Sequence, residues 1–194
     1  GEIPYTSFVP PGLPDYRPVA GLGFDPEEAR RNLARAGFPA GKGFPVLKYL
    51  HVTSRGGGLR VAEAFQDMWK KELGIKVELD SQEWKVYLKS MSNLDYDLVS
   101  GGWIGDYLDA NTFLDMFVTD GGNNRTGFSN PEYDRLITAA AKETDPARRR
   151  GIFERCEEIL VREQLPIAPL FVPVNMALIA PGLSGVEPNL ASHA

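Results

Sequence analysis

The stretch from Pro45 to Leu79 most narrows the folds open to this chain. Pro45 to Val52 carries Val46, Leu47, Tyr49, Leu50 and Val52, a β-branched and aromatic run of strand length. Leu59 to Leu73 then places Ala62, Phe65, Trp69 and Leu73 at helical spacing, Gly74 closes that helix, and Ile75 to Leu79 alternates as a strand should. Strand, helix and strand in about 35 residues form a βαβ unit, which makes the two strands parallel neighbours.

The rest of the chain continues the alternation. Asp25, Pro26 and Glu28 read as a capping box opening a helix with Ala29, Leu33 and Ala36 on one face, ended by Gly37. Ser81 to Met91 reads as a third helix with Trp84, Tyr87, Leu88 and Met91 along one stripe. Tyr96 to Ser100 is a short strand. Helices follow from Asn130–Pro131 through Ile137 and Ala140, and from Asp145–Pro146 along Ile152, Phe153, Cys156, Ile159 and Leu160. Ile167 to Ala180 is apolar and β-like. The expected fold class is α/β, a mixed β-sheet flanked by helices, without internal repeats. Residues 1–23 hold five prolines (4, 10, 11, 14 and 18) and read as an extended crossover arm; 24–180 is the expected lobe and 181–194 a tail.

Composition excludes several functions. The net charge is −5, and the one basic run, Arg148 to Arg150, lies inside a helical pattern, so a nucleic-acid partner is not expected. One cysteine, Cys156, permits neither an internal disulfide nor a four-ligand zinc site, and its place on an apolar stripe suits a buried hydrophobe. Only His51, in a strand, and His193, beside the terminus, are available to a His-dependent triad. No apolar run reaches membrane-spanning length. The chain opens without Met and reads as a piece of a longer protein whose targeting segment lies elsewhere.

Three segments retain chemical interest. Ser54 to Gly58 (SRGGG) precedes a helix and reads as a turn, a weak anion loop or a wall for a ligand, but lacks a P-loop's Gly-Lys-Ser/Thr. Asp106, Asp109, Asn111 and Asp115 form an acidic cluster without EF-hand spacing, so no metal is expected. GGWIGDY, 101–107, follows a strand end, where open α/β sheets bind ligands. Gly101 and Gly102 allow close backbone approach or positive φ. Trp103 and Asp106 can stack on and ion-pair with a cationic amine, or else serve as a core tryptophan and a turn-capping aspartate.

The ordered set FDPEEARRNLARAGF (24–38), FQDMWKKELGIKVEL (65–79), QEWKVYL (82–88), YDLVSGGWIGDYLDANTFLDMF (96–117), NNRTGFSNPEYDRLI (123–137) and ERCEEILVREQLPIAPLF (154–171) resembles the second lobe of the peptide/nickel-type solute-binding proteins of ABC importers, family 5. The resemblance implies a type II periplasmic-binding-protein fold and a two-lobed, hinged protein that is not an enzyme and needs no cofactor. It would capture peptides outside the cytoplasm, in the periplasm or as a membrane-anchored lipoprotein. Its partners would be a first lobe and a membrane permease. It implies that Asp106 pairs with a peptide α-amino group and that Trp103 and Trp84 line side-chain pockets. Gly102, Ile104, Leu88 and Ser100 complete the expected ligand-binding set. Met91 and Ser100 stand where some members carry arginine, and Ala110 where proline is frequent, so this lobe is expected to read the amine end of a ligand. Half a cleft should bind weakly by itself. A binder of nickel complexes or sugars, and a hydrolase using Asp106 and Asp109, are the alternatives.

Overall fold

The computed structural model describes residues 2–53, 58–173 and Gly182. In chain order the elements are β1 (Ile3–Pro4), α1 (Pro26–Arg35), β2 (Leu47–Val52), α2 (Gly58–Leu73), β3 (Val77–Gln82) and α3 (Trp84–Ser92). There follow β4 (Leu98–Val99), α4 (Asn111–Leu114), α5 (Pro131–Ala140), α6 (Pro146–Glu158) and β5 (Phe171–Val172). The chain divides into two compact units, one of residues 1–23 with 103–194 and one of 24–102. The sequence reading shares the break at 23/24, has none at 102/103, and places its other break at 180/181, outside the described residues. Residues 54–57 of the glycine-rich loop, 174–180 of the β-like end, and 181–194 with His193 lie, Gly182 apart, outside the described residues. No described helix is long and apolar enough to cross a membrane.

The unit of residues 24–102 is built on the βαβ motif. β2 pairs in parallel with β3 from Leu47↔Val77 to Val52↔Gln82, and with β4 at Tyr49↔Leu98 and Leu50↔Val99. Tyr49, Ala62 and Val77 are buried, with Leu47, Phe65, Trp69, Leu79 and Leu98 packed against them. The Trp69 ring meets Phe65 in a stack at 5.6 Å and Tyr49 edge-on at 6.1 Å. α1 begins as expected: Asp25 accepts from the Glu28 amide at 2.9 Å and Pro26 leads the first turn. The Glu28 carboxylate itself bonds Arg31 and Arg35.

The bounds of β3 and α3 differ from the sequence reading. β3 starts at Val77 and runs to Gln82, and α3 starts at Trp84 after Glu83, whose carboxylate accepts from the Lys85 amide at 3.0 Å. Asp80, Ser81 and Gln82 are polar, so alternation fades there, yet the backbone ladder with β2 carries on and ends with Thr53 N–H on the Gln82 carbonyl at 2.9 Å.

In the other unit, β1 and β5 pair antiparallel, and α4, α5 and α6 surround a core of Phe113, Leu114, Phe117, Tyr133, Ile137, Phe153 and Cys156. Parallel and antiparallel pairing thus both occur, in separate sheets. The Pro-rich segment contributes Val9, Leu13 and Tyr16 to that core. α6 passes into a π turn over Ile159–Glu163, and the wider turn carries Ile159, Leu160 and Val161 all inside, at 0–1% exposure. Cys156 is fully buried and its thiol is pushed up to about 12, chiefly by burial, which leaves it unreactive.

One carboxylate organises the Pro-rich segment. Glu157 is 0% exposed. Its Oε1 accepts from the amides of Phe8 (2.9 Å) and Val9 (2.8 Å), and its Oε2 from the Tyr16 hydroxyl (2.7 Å) and the Val19 amide (2.6 Å). A chain segment with few donors of its own to spend on regular structure is held by converging three amides and a hydroxyl on one buried carboxyl group. Burial pushes the Glu157 pKa up; the four donors pull it down without cancelling that.

Candidate functional site

The expected site residues fall in both units, with the division inside GGWIGDY, after Gly102. Trp103, Ile104 and Asp106 belong to the unit containing α4–α6. Trp84, Leu88, Ser100 and Gly102 belong to the unit of β2–β4.

In the first of these, Asp106 has an exposed carboxylate that accepts no hydrogen bond and forms no ion pair among the described residues. Its amide is fixed, donating to the buried Thr112 hydroxyl at 3.0 Å. The side chain therefore caps no turn, as the bland alternative required. Three residues on, Asp109 accepts from Arg149 Nη1 at 2.6 Å and Nη2 at 3.0 Å, and from the Asn111 amide at 2.8 Å. Burial resists ionisation of Asp109, but the guanidinium and the Asn111 amide hold its carboxyl below the usual range. Asp115 accepts from the Asn111 side chain at 3.0 Å; burial and the nearby Asp106 charge raise its pKa.

The acidic cluster is thus spent unequally. Asp109 is locked, Asp115 is bonded, and Asp106 alone among the three is open. No group of three His, Cys, Asp or Glu side chains that could hold a metal ion occurs among the described residues. A hydrolase using Asp106 and Asp109 needs both carboxyls free to meet substrate, and both oxygens of Asp109 are taken by Arg149.

Trp103 is half-buried and packs against the hydrophobic core, with an indole N–H buried and without a partner among the described residues. Part of this ring is therefore committed to the fold. Ile104 is 67% exposed. The expected roles of Gly101 and Gly102 are corrected in one respect, since neither has positive φ and nothing lies within 4 Å of a Cβ built on Gly102. Gly105 is the glycine that packing demands: a Cβ there would stand 2.8 Å from the Phe113 ring and 3.0 Å from the Thr112 methyl.

In the other unit, Trp84 is 52% exposed and stacks on the buried Tyr87, 5.6 Å between centroids and 21° apart. The Tyr87 hydroxyl donates to the Ser100 carbonyl, and the Ser100 amide donates to Leu50 O at 3.1 Å. Ser100 and Leu88 are half-buried. An exposed flat ring is thus braced by a tyrosine that also fixes the end of β4. Helical spacing places Tyr87 on the stripe but carries no sign of that second bond. His51, the other histidine weighed as a base, is 1% exposed in β2, with neither ring nitrogen partnered among the described residues.

Residues 1–125 match the family model "Bacterial extracellular solute-binding proteins, family 5 Middle". The chain belongs to that family. It is 34% identical over 161 residues to the oligopeptide-binding protein OppA of Bacillus subtilis, covering 82% of this chain and 29% of that protein. It is 35% identical to the periplasmic murein peptide-binding protein MppA of Escherichia coli, covering 84% of this chain and 30% of the relative. Among solved structures, a periplasmic oligopeptide-binding protein of Borrelia burgdorferi superposes with a TM-score of 0.81 at 36% identity, over 89% of this chain and 35% of that one. The α/β fold is that of these binding proteins, and none of the three is named as an enzyme. The chain spans about a third of their length.

Proposed function

We propose that this chain is the ligand-capturing lobe of an extracytoplasmic solute-binding protein that delivers peptides to the permease of an ABC importer, and that Asp106 pairs with the peptide's α-ammonium group. The observation that carries this reading is the state of Asp106. Its carboxylate is exposed and without a partner among the described residues, while its backbone is fixed by Thr112. A desolvated ammonium needs a countercharge that no protein cation already holds. Ile104, in the same unit as Asp106, offers exposed apolar area with few directional contacts, which suits side chains of varied identity, and Trp84 offers the same within the other unit. The names of the relatives, binders of oligopeptides and murein peptides, support the same ligand class. A first lobe and the permease are the partners this reading requires, and the site of action is the periplasm or the outer face of the membrane.

The test is mass spectrometry of ligands that co-purify with the complete gene product, followed by calorimetry with trialanine, a disaccharide and a nickel chelate. Peptides should co-purify and trialanine should bind. Binding of the sugar or the nickel complex without the peptide would replace the reading.

A further inference from the structure

We infer that Arg149 is a positioning residue for the Asp106 carboxylate, acting through Asp109 and the start of α4. The inference rests on the ammonium-pairing reading of Asp106 and adds the device that aims it.

The argument begins with a mismatch. A carboxylate meant to meet a ligand cation must stay free of protein donors, so nothing can hold its side chain directly. Its aim must come from the backbone. The loop from Asp106 to Ala110 contains no regular element, and an unsupported loop of that kind samples many orientations. Here both ends are tied. At the front, the Asp106 amide donates to the hydroxyl of Thr112, which is 2% exposed. At the back, Asp109 is gripped through both carboxylate oxygens by Arg149, which comes from α6, 40 residues away in sequence. Asp109 in turn takes the Asn111 amide at 2.8 Å and so fixes the first residue of α4, the helix that carries Thr112.

Arg149 is itself over-determined. Its guanidinium lies 4.5 Å above the centroid of the Phe153 ring, and its Nε donates to the Ala140 carbonyl at the end of α5 at 3.2 Å. Phe153 is 2% exposed and belongs to the core. The planar fork of an arginine allows one side chain to hold two carboxylate oxygens, a carbonyl and an aromatic face together, and lysine cannot reproduce that. Geometry therefore runs without interruption from the core through Phe153, Arg149, Asp109 and Thr112 to the Asp106 backbone.

The experiment compares calorimetric Kd values for trialanine and N-acetyl-trialanine on the complete gene product and on its Arg149→Met, Arg149→Lys and Asp106→Asn variants. The ratio of the two constants reads the ammonium contact, and general loss of fold does not change it. Asp106→Asn should bring the ratio close to one. Arg149→Met should weaken trialanine about tenfold, the size of one charge-assisted hydrogen bond, with little change for the acetylated peptide. Arg149→Lys should fall between. If Arg149→Met keeps the native ratio, or weakens both peptides equally, the positioning role is overturned while the role of Asp106 stands. If the native protein shows no preference, or Asp106→Asn keeps it, the ammonium reading fails and the inference fails with it.

Discussion

Glu157 and Asp106 are two carboxylates of one unit put to opposite uses. Glu157 is fully buried and takes four donors from the Pro-rich segment. Asp106 is exposed and takes none among the described residues. The difference is made by what surrounds each one. Prolines at 4, 10, 11, 14 and 18 leave a segment whose free amides need acceptors, and Glu157 on α6 supplies them. Around Asp106 the donors are already assigned: Arg149 to Asp109, the Asn111 side chain to Asp115, and the Asp106 amide to Thr112. A carboxyl group satisfied inside the protein maintains the fold; one without a partner among the described residues stays available to a ligand.

The comparison is most exposed to failure at Glu157. Replacing it with alanine leaves three amides and a hydroxyl without an acceptor and should cost about 3–5 kcal/mol in chemical denaturation, with hydrogen exchange accelerated at Phe8, Val9 and Val19. A loss below about 1 kcal/mol would mean that the segment is held by its apolar contacts alone.

A smaller effect lies in pH dependence, and its sign differs between two acids. The folded pKa of Glu157 is raised, so its contribution to stability is complete below the ordinary glutamate range and lost as pH rises through the raised value. The folded pKa of Asp109 is lowered, so its contribution is present above the ordinary aspartate range and lost as pH falls through the lowered value. Melting curves should show the Tm gap between native protein and Glu157→Gln shrinking as pH rises above that range. The gap to Asp109→Asn should shrink on acidification instead. Parallel trends would erase the distinction.

The pair Trp84 and Tyr87 repeats the division of labour in the other unit. Tyr87→Phe removes the bond to the Ser100 carbonyl and should cost about 1 kcal/mol, more than the half-exposed Trp84 should lose on conservative replacement by phenylalanine. The smallest effect belongs to Asp106→Ala, which should change stability by less than about 0.5 kcal/mol, because no hydrogen bond or ion pair among the described residues ends on that carboxylate.

Local physics made much of this legible in sequence. The β2–α2–β3 unit showed itself by period, the cap of α1 by Asp25 and Pro26, and the buried state of Cys156 by its stripe. Where the pattern weakens, boundaries slip: Asp80 to Gln82 are polar and break the alternation although they continue the ladder with β2, so Ser81 and Gln82 read as the start of a helix. The candidate site divides the same way. The sequence singles out Asp106 and Trp84, but not what frees or braces them. Arg149 lies 40 positions from Asp109, and in the sequence it stands only as part of a basic helical run. Glu157 stands four residues after Phe153 and three before Leu160, a charge on an apolar stripe; that placement was a visible signal of a buried, partnered carboxylate.

The central claim is that Asp106 is left open for a ligand ammonium. Carbodiimide footprinting of carboxyl groups by mass spectrometry, on the complete gene product with and without trialanine amide, tests it most directly. Asp106 should be modified in the free protein and protected by the peptide, but not by its N-acetyl analogue, while Glu157 stays unmodified until the protein unfolds. Equal modification of Asp106 with and without the free-amine peptide would contradict the account.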